Sequence, residues 1–174
     1  MNRPPRTLRI YLDTKIVSLL VLVIGCLSAC QTDTAPSTHP MLPPDFALRF
    51  HVLGEPDSDE PLRQKSQYVL EPDRGFHVAV GAGAVIDYYP PLTARISRVE
   101  YYDICQHVMR NHLMAEPTSP AVIDGTPDLR YDVLIIAHGR THRYATTPPE
   151  SPPTVQLLRK LTELRAAAFT APAP

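Results

Sequence analysis

The residues best placed for chemistry in this sequence are the histidines and arginines around a short turn at 138–143. His138 and His142 are four positions apart, and residues at that spacing can face each other across a tight hairpin. Two imidazoles in that arrangement form a candidate pair of metal ligands. Zinc takes three or four protein ligands, however, and the sequence offers no evident third. Arg140 and Arg143 also oppose a bound cation. We therefore expect no metal here and regard the two histidines as weak candidates.

A site for a small ligand, formed by the turn at 138–143 together with a second segment, is the alternative. Tyr88 and Tyr89 lie in a predicted connector at 81–95. An aromatic ring of this kind can stack on a sugar or pack against a sheet, and packing is the commoner use. The sequence therefore keeps open a ligand-binding module whose rim includes Tyr88, Tyr89, Arg140 and Arg143.

Nucleophilic catalysis would need a side chain such as a thiol beside a base. Cys105 and His112 fall on one predicted helix, but seven residues correspond to about 10.5 Å of rise, too far for a hydrogen bond. We expect His112 at the edge of the core and His107 on the outer face of that helix. The sequence also lacks Gly-x-Ser-x-Gly, His-Glu-x-x-His and Walker motifs. We therefore predict that the protein is not an enzyme and needs no cofactor. A hydrolase whose residues meet only in the fold is a weaker alternative.

Cys30 is the remaining candidate for chemistry, because it ends an uncharged apolar run. Residues 1–15 carry four basic side chains against one acidic one, and residues 16–29 carry no charge. A basic segment followed by a short apolar run is typical of a secretory signal. As a helix, 14 residues would span about 21 Å, which is less than the roughly 30 Å hydrocarbon core of a bilayer. We therefore predict a cleaved signal peptide at 1–29 and no transmembrane helix in the mature protein.

The end of this run, Leu27-Ser28-Ala29-Cys30, resembles the lipobox of bacterial lipoproteins, in which an aliphatic residue and two small residues precede a cysteine. The resemblance implies cleavage between Ala29 and Cys30. It also implies a diacylglyceryl thioether on Cys30, acylation of its new amine and hence stable attachment to a membrane. Gln31 occupies the position where Asp would oppose transfer to the outer membrane. The resemblance therefore favours the outer membrane over the inner one.

The mature chain divides into a tether and one domain. Residues 30–44 hold four prolines among polar side chains, which predicts a flexible tether carrying the lipidated cysteine. We predict a single domain at 45–169 and a disordered tail at 170–174. Without residues 1–29 the chain has 13 basic and 17 acidic residues, a net charge of −4 that argues against nucleic acid as a partner. The expected partners are the membrane and an envelope protein or glycan.

The apolar pattern of the domain predicts its fold. Alternation from Phe46 to Val52 indicates a half-buried strand, and further strands are predicted on both sides of the turn at 72–75 and in 129–146. Ser97 and Glu100 match a capping box at the start of one helix, and a second helix is predicted after Ser151. The order βββα-ββα favours an α+β two-layer sandwich, with an antiparallel sheet of about five strands and two helices on one face. In layout alone it resembles small domains of unknown function in bacterial lipoproteins, and this carries over no functional residue.

These observations together predict a lipid-anchored protein of the cell envelope. Its domain is expected to be a non-catalytic binding or structural module, and a ligand- or metal-binding module is the alternative.

Overall fold

The computed structural model describes residues 42–118 and 129–170, all within the unit Met41–Pro174. The predicted signal peptide at 1–29, most of the tether at 30–44 and the end of the tail at 170–174 lie outside the described residues. In chain order the elements are β1 (Ala47–Leu53), β2 (Ser66–Leu70), β3 (Gly75–Val80), β4 (Leu92–Arg95), α1 (Arg98–Arg110), β5 (Arg130–Ala137), β6 (Arg140–Thr146) and α2 (Pro152–Thr170). Short 3-10 turns occupy Gly81–Gly83 and Leu113–Ala115.

The strands form one antiparallel sheet in the order β4-β3-β2-β1-β5-β6. Strand β1 lies between β2 and β5. Its alternating pattern predicted a strand, and the structure confirms it: Leu48, Phe50 and Val52 join the core under the helices. Arg49 and His51 point to the other face, because successive side chains of a strand alternate. The predicted two-layer α+β sandwich, with both helices on one face of an antiparallel sheet, is confirmed.

Strand β4 is the departure from the expected count of about five strands. It lies inside the predicted 81–95 connector and pairs with β3 across an irregularity at Phe76 and His77. The strand has four residues, none of them buried, so it lacks the apolar alternation that identifies a strand in sequence. Pro90 and Pro91 precede it, and proline is tolerated at the start of an edge strand because the neighbouring ladder loses no hydrogen bond.

Helix α1 begins at the predicted capping box. The Ser97 hydroxyl accepts a hydrogen bond from the backbone N–H of Glu100 at 3.2 Å. In return, the Glu100 carboxylate accepts one from the backbone N–H of Ser97 at 2.7 Å. Two of the free amides at the helix end are thereby satisfied, which fixes where α1 starts.

Both helices pack on the same face of the sheet through a shared apolar cluster. Their buried members are Tyr101, Ile104, Cys105, Val108, Leu157, Leu158 and Leu161. Tyrosine hydroxyls connect the sheet to α2: Tyr68 contacts Thr162 at 3.4 Å, and Tyr144 contacts Thr154 at 3.0 Å. Neither helix in the described part of the chain has the length and hydropathy needed to cross a membrane.

Two histidines near α1 are not where the sequence pattern predicted them. His107 was expected on the outer face, and this is wrong: it is buried, with Nε2 2.8 Å from the carbonyl oxygen of Pro153 in α2. His112 was expected at the core edge, and this is also wrong. Helix α1 ends at Arg110, and His112 is exposed with a left-handed φ of 54°. The change of direction brings Leu113 into the core instead.

Candidate binding site

The strand register separates the arginines that the sequence placed on one rim. On β6, Arg140 and His142 lie on the same face as buried Tyr144, which contacts α2. Arg143 lies on the opposite face, because neighbouring side chains of a strand point in opposite directions. The structure therefore brings Arg140 together with the two turn histidines and leaves Arg143 apart from them.

A pocket of ≈ 460 Å³ lies at the turn end of the β5–β6 hairpin. It is lined by Met114, Ala137, His138, Arg140, Thr141 and His142. Three of these six side chains are basic and none is acidic. The Nε2 atom of His142 is buried and has no hydrogen-bond partner among the described residues. We call this feature the hairpin pocket.

Asp45 fixes the conformation of the turn beside the hairpin pocket. Its carboxylate accepts hydrogen bonds from the backbone N–H groups of His138 at 2.8 Å and Gly139 at 2.5 Å. Both residues have positive φ angles, 54° and 68°, a conformation that costs a non-glycine residue energy. The bond from Gly139, followed by that from His138, holds the pKa of Asp45 below its usual value. The Asp45 charge is thus engaged by the backbone of the turn.

The two histidines line the same pocket, but they do not face each other across the hairpin as their spacing suggested, because His142 pairs with Ile135 and His138 lies in the turn. Within 42–118 and 129–170, however, no group of three or more His, Cys, Asp or Glu side chains could hold a metal ion. Arg140 lines the same pocket and opposes a cation. The expected absence of a metal stays a prediction.

Tyr89 and Tyr88 differ in their surroundings. The Tyr89 hydroxyl donates to the Glu71 carboxylate at 2.6 Å, and its ring meets the His77 ring edge-on at 5.0 Å between centroids. The hydrogen bonds that Glu71 makes with Tyr89 and with His77 lower the pKa of Glu71. Partial burial raises the pKa of Tyr89 to about 12. The Arg49 guanidinium lies 5.8 Å from the Tyr89 ring centre. Tyr89 therefore ties the connector to the sheet, whereas Tyr88 is 59% exposed and faces solvent.

A polar cluster that the sequence did not reveal lies on the sheet face opposite the helices. Arg143 donates two hydrogen bonds to Asp132, from Nε at 2.9 Å and from Nη2 at 2.6 Å. These bonds raise the pKa of Arg143. His51 pairs with Asp132 in the β1–β5 register, and its Nδ1 lies 3.7 Å from the same carboxylate. The register of the strands is the signal that brings these three residues together, and no local pattern carries it.

The Cys105 thiol is not available as a nucleophile in this fold. It is 1% exposed, and burial raises its pKa to about 12. A thiolate is the reactive form of cysteine, so a raised pKa and burial together oppose reaction. The Glu100 carboxylate caps α1, and the Asp132 carboxylate binds Arg143, so both carboxylates have structural partners.

Comparison of the sequence with models of known protein families gives no match, and no curated protein is significantly similar to it. The fold and the geometry describe an α+β sandwich with a basic pocket at one hairpin turn and a buried ion-pair cluster on its helix-free face.

Proposed function

We propose that the chain is a lipid-anchored protein of the cell envelope whose folded domain binds or braces a partner without catalysis. The observation that carries the proposal is Leu27-Ser28-Ala29-Cys30, directly after the uncharged segment 16–29. The aliphatic and small residues suit the specificity of a signal peptidase that cleaves before a lipidated cysteine. Two or more acyl chains on Cys30 would hold the protein on a membrane, where one chain would be marginal.

The chain length after Cys30 supports a domain held away from the lipid. The described fold begins at Leu42, twelve residues after Cys30. An extended chain of that length reaches about 37 Å at roughly 3.1 Å per residue. The domain on such a tether can meet partners in the envelope without lying on the membrane. Gln31 favours the outer membrane as the site of attachment.

The non-catalytic part of the proposal is supported by how the polar residues of the domain are used. Asp132 is engaged by Arg143, Glu71 by Tyr89 and His77, and the Cys105 thiol is buried. These contacts hold strands and connectors together. The mature charge of −4 favours a protein, glycan or small ligand over nucleic acid.

A ligand-binding module is the second candidate for the domain, and the hairpin pocket is the observation that favours it. Its volume of ≈ 460 Å³ lies within the usual range for small-molecule sites, about 300–1,000 Å³. A hydrolase is the third candidate and would need a nucleophile and base to meet.

Growth of bacteria expressing the full chain with labelled palmitate tests the anchor. We expect label on the protein and recovery of the protein with membranes, because Cys30 carries the acyl chains. Cys30→Ala should abolish the label. Cys26→Ala is the matched control, since it removes another cysteine of the same apolar region and should leave the label unchanged. An unlabelled wild-type protein, or label that survives Cys30→Ala, would refute the proposal.

A further inference from the structure

We propose that the hairpin pocket binds a small oxyanion, a phosphate or carboxylate group carried on a molecule with a short apolar portion. The inference rests on the proposed binding role of the domain and names the class of its ligand. It does not depend on the lipid anchor.

The basic lining of the pocket is the first argument. Arg140, His138 and His142 contribute basic side chains, and no carboxylate belongs to the lining. The Asp45 carboxylate beside the turn is already engaged by two backbone amides. Arg140 has no hydrogen bond or ion pair with any residue of the described ranges, so its guanidinium is free to meet a ligand. That planar group can donate two parallel hydrogen bonds to the oxygens of a phosphate or carboxylate.

The ring of His142 supplies the second argument. It packs at 5.7 Å from the Tyr144 ring, and its Nε2 atom is buried without a partner in the described part of the chain. Buried polar atoms in native proteins are nearly always hydrogen-bonded, so an unpaired one beside a pocket indicates a missing acceptor or donor. An oxyanion oxygen would accept a hydrogen bond from this ring nitrogen. Cations do not fit this role, because Arg140 lines the same space.

An apolar side chain beside the basic ones and a turn held in place are the third argument. Met114 from the 3-10 turn is partly exposed and provides apolar surface next to the basic side chains, whereas Ala137 at the end of β5 is fully buried. The hydrogen bonds from the turn to Asp45 hold this geometry before any ligand arrives. A preorganised site binds more tightly than a flexible one, because less conformational entropy is lost when the ligand binds.

Isothermal titration calorimetry of the purified full chain in detergent tests this inference, with inorganic phosphate, acetate and Zn²⁺ as separate probes in chloride buffer. We expect one saturable site for phosphate or acetate, and the tighter of the two identifies the head group. Arg140→Gln should weaken binding about 10-fold or more, because a charge-assisted hydrogen bond pair is lost. His142→Gln should weaken it less. Arg98→Gln at the far end of α1 is the matched control and should bind as the wild type does.

Several outcomes would overturn the inference. They are no saturable heat with either anion, anion binding that survives Arg140→Gln in a protein with wild-type circular dichroism, or saturable binding of Zn²⁺ alone. The last result would establish a histidine metal site instead. Failure of the lipid anchor can be distinguished from failure of the binding site. A protein that carries no palmitate but still binds an anion refutes lipidation and leaves the proposed site intact.

Discussion

Replacing Gly54 with alanine is expected to destabilise the domain by about 2–3 kcal/mol. Gly54 directly follows β1, and a Cβ atom there would lie 1.9 Å from the carbonyl oxygen of Arg63 and 2.9 Å from its carbon. The contact is with backbone, which cannot turn away as a flexible side chain can. The Arg63 carbonyl also accepts a hydrogen bond from the backbone N–H of Glu55 at 3.1 Å. Moving Gly54 and Arg63 apart to make room for the Cβ atom would therefore break this hydrogen bond.

Urea unfolding followed by circular dichroism measures the effect of Gly54→Ala. The matched control is Gly83→Ala, because a Cβ atom on Gly83 would meet nothing within 4 Å. We expect the control to unfold within about 0.5 kcal/mol of the wild type. Equal stability of the wild type and Gly54→Ala would show that the chain does not approach itself here as described.

Loss of the Asp132 charge is expected to lower the free energy of unfolding by about 2 kcal/mol. Breaking a buried ion pair on one side usually costs about 3–5 kcal/mol, and the partial exposure of the Arg143 side chain reduces that figure. In Asp132→Asn, Arg143 keeps its charge but loses the carboxylate that accepts two of its hydrogen bonds. His51 loses the same neighbour. The stability of β1, β5 and β6 should therefore fall together.

Asp103→Asn is the matched control for this charge. Asp103 pairs with Lys160 between the two helices, but its side chain is 55% exposed. An exposed ion pair contributes about 0–1 kcal/mol, so the control should lose at most that amount. Denaturant unfolding of both variants gives the two losses of unfolding free energy, and we expect the loss in Asp132→Asn to be the larger. Equal losses would mean that burial does not distinguish the Asp132 cluster from an ordinary surface pair.

Local patterns in the sequence were sufficient to predict most of the fold. The alternation around Phe50 and the pair Ser97 and Glu100 each depend on residues within one element, and both predictions are confirmed. Strand β4 was not predicted because it is short and none of its residues is buried. The position of His112 was predicted wrongly because α1 ends before this residue. Where a helix ends depends on which of the following residues can be buried. In this chain Leu113, and not His112, is buried in the core after α1.

The candidate site was less accessible to sequence reasoning, for two physical reasons. Arg140 and Arg143 are three residues apart, so on a strand they must point to opposite faces, and a single rim could not include both. The contact of His51 and Asp132 depends on the pairing of β1 with β5, which long-range packing sets. His138 and His142 share the pocket because the turn at His138 leads directly into β6, where His142 lies close to it along the chain.

The mass of the mature N-terminus is the most direct test of a lipid-anchored envelope protein. Mass spectrometry of the protein purified from bacterial membranes should find a chain that begins at Cys30, with a diacylglyceryl group on its sulfur and an acyl group on its amine. A chain that retains residues 1–29, or one cleaved elsewhere with an unmodified Cys30, would contradict the account.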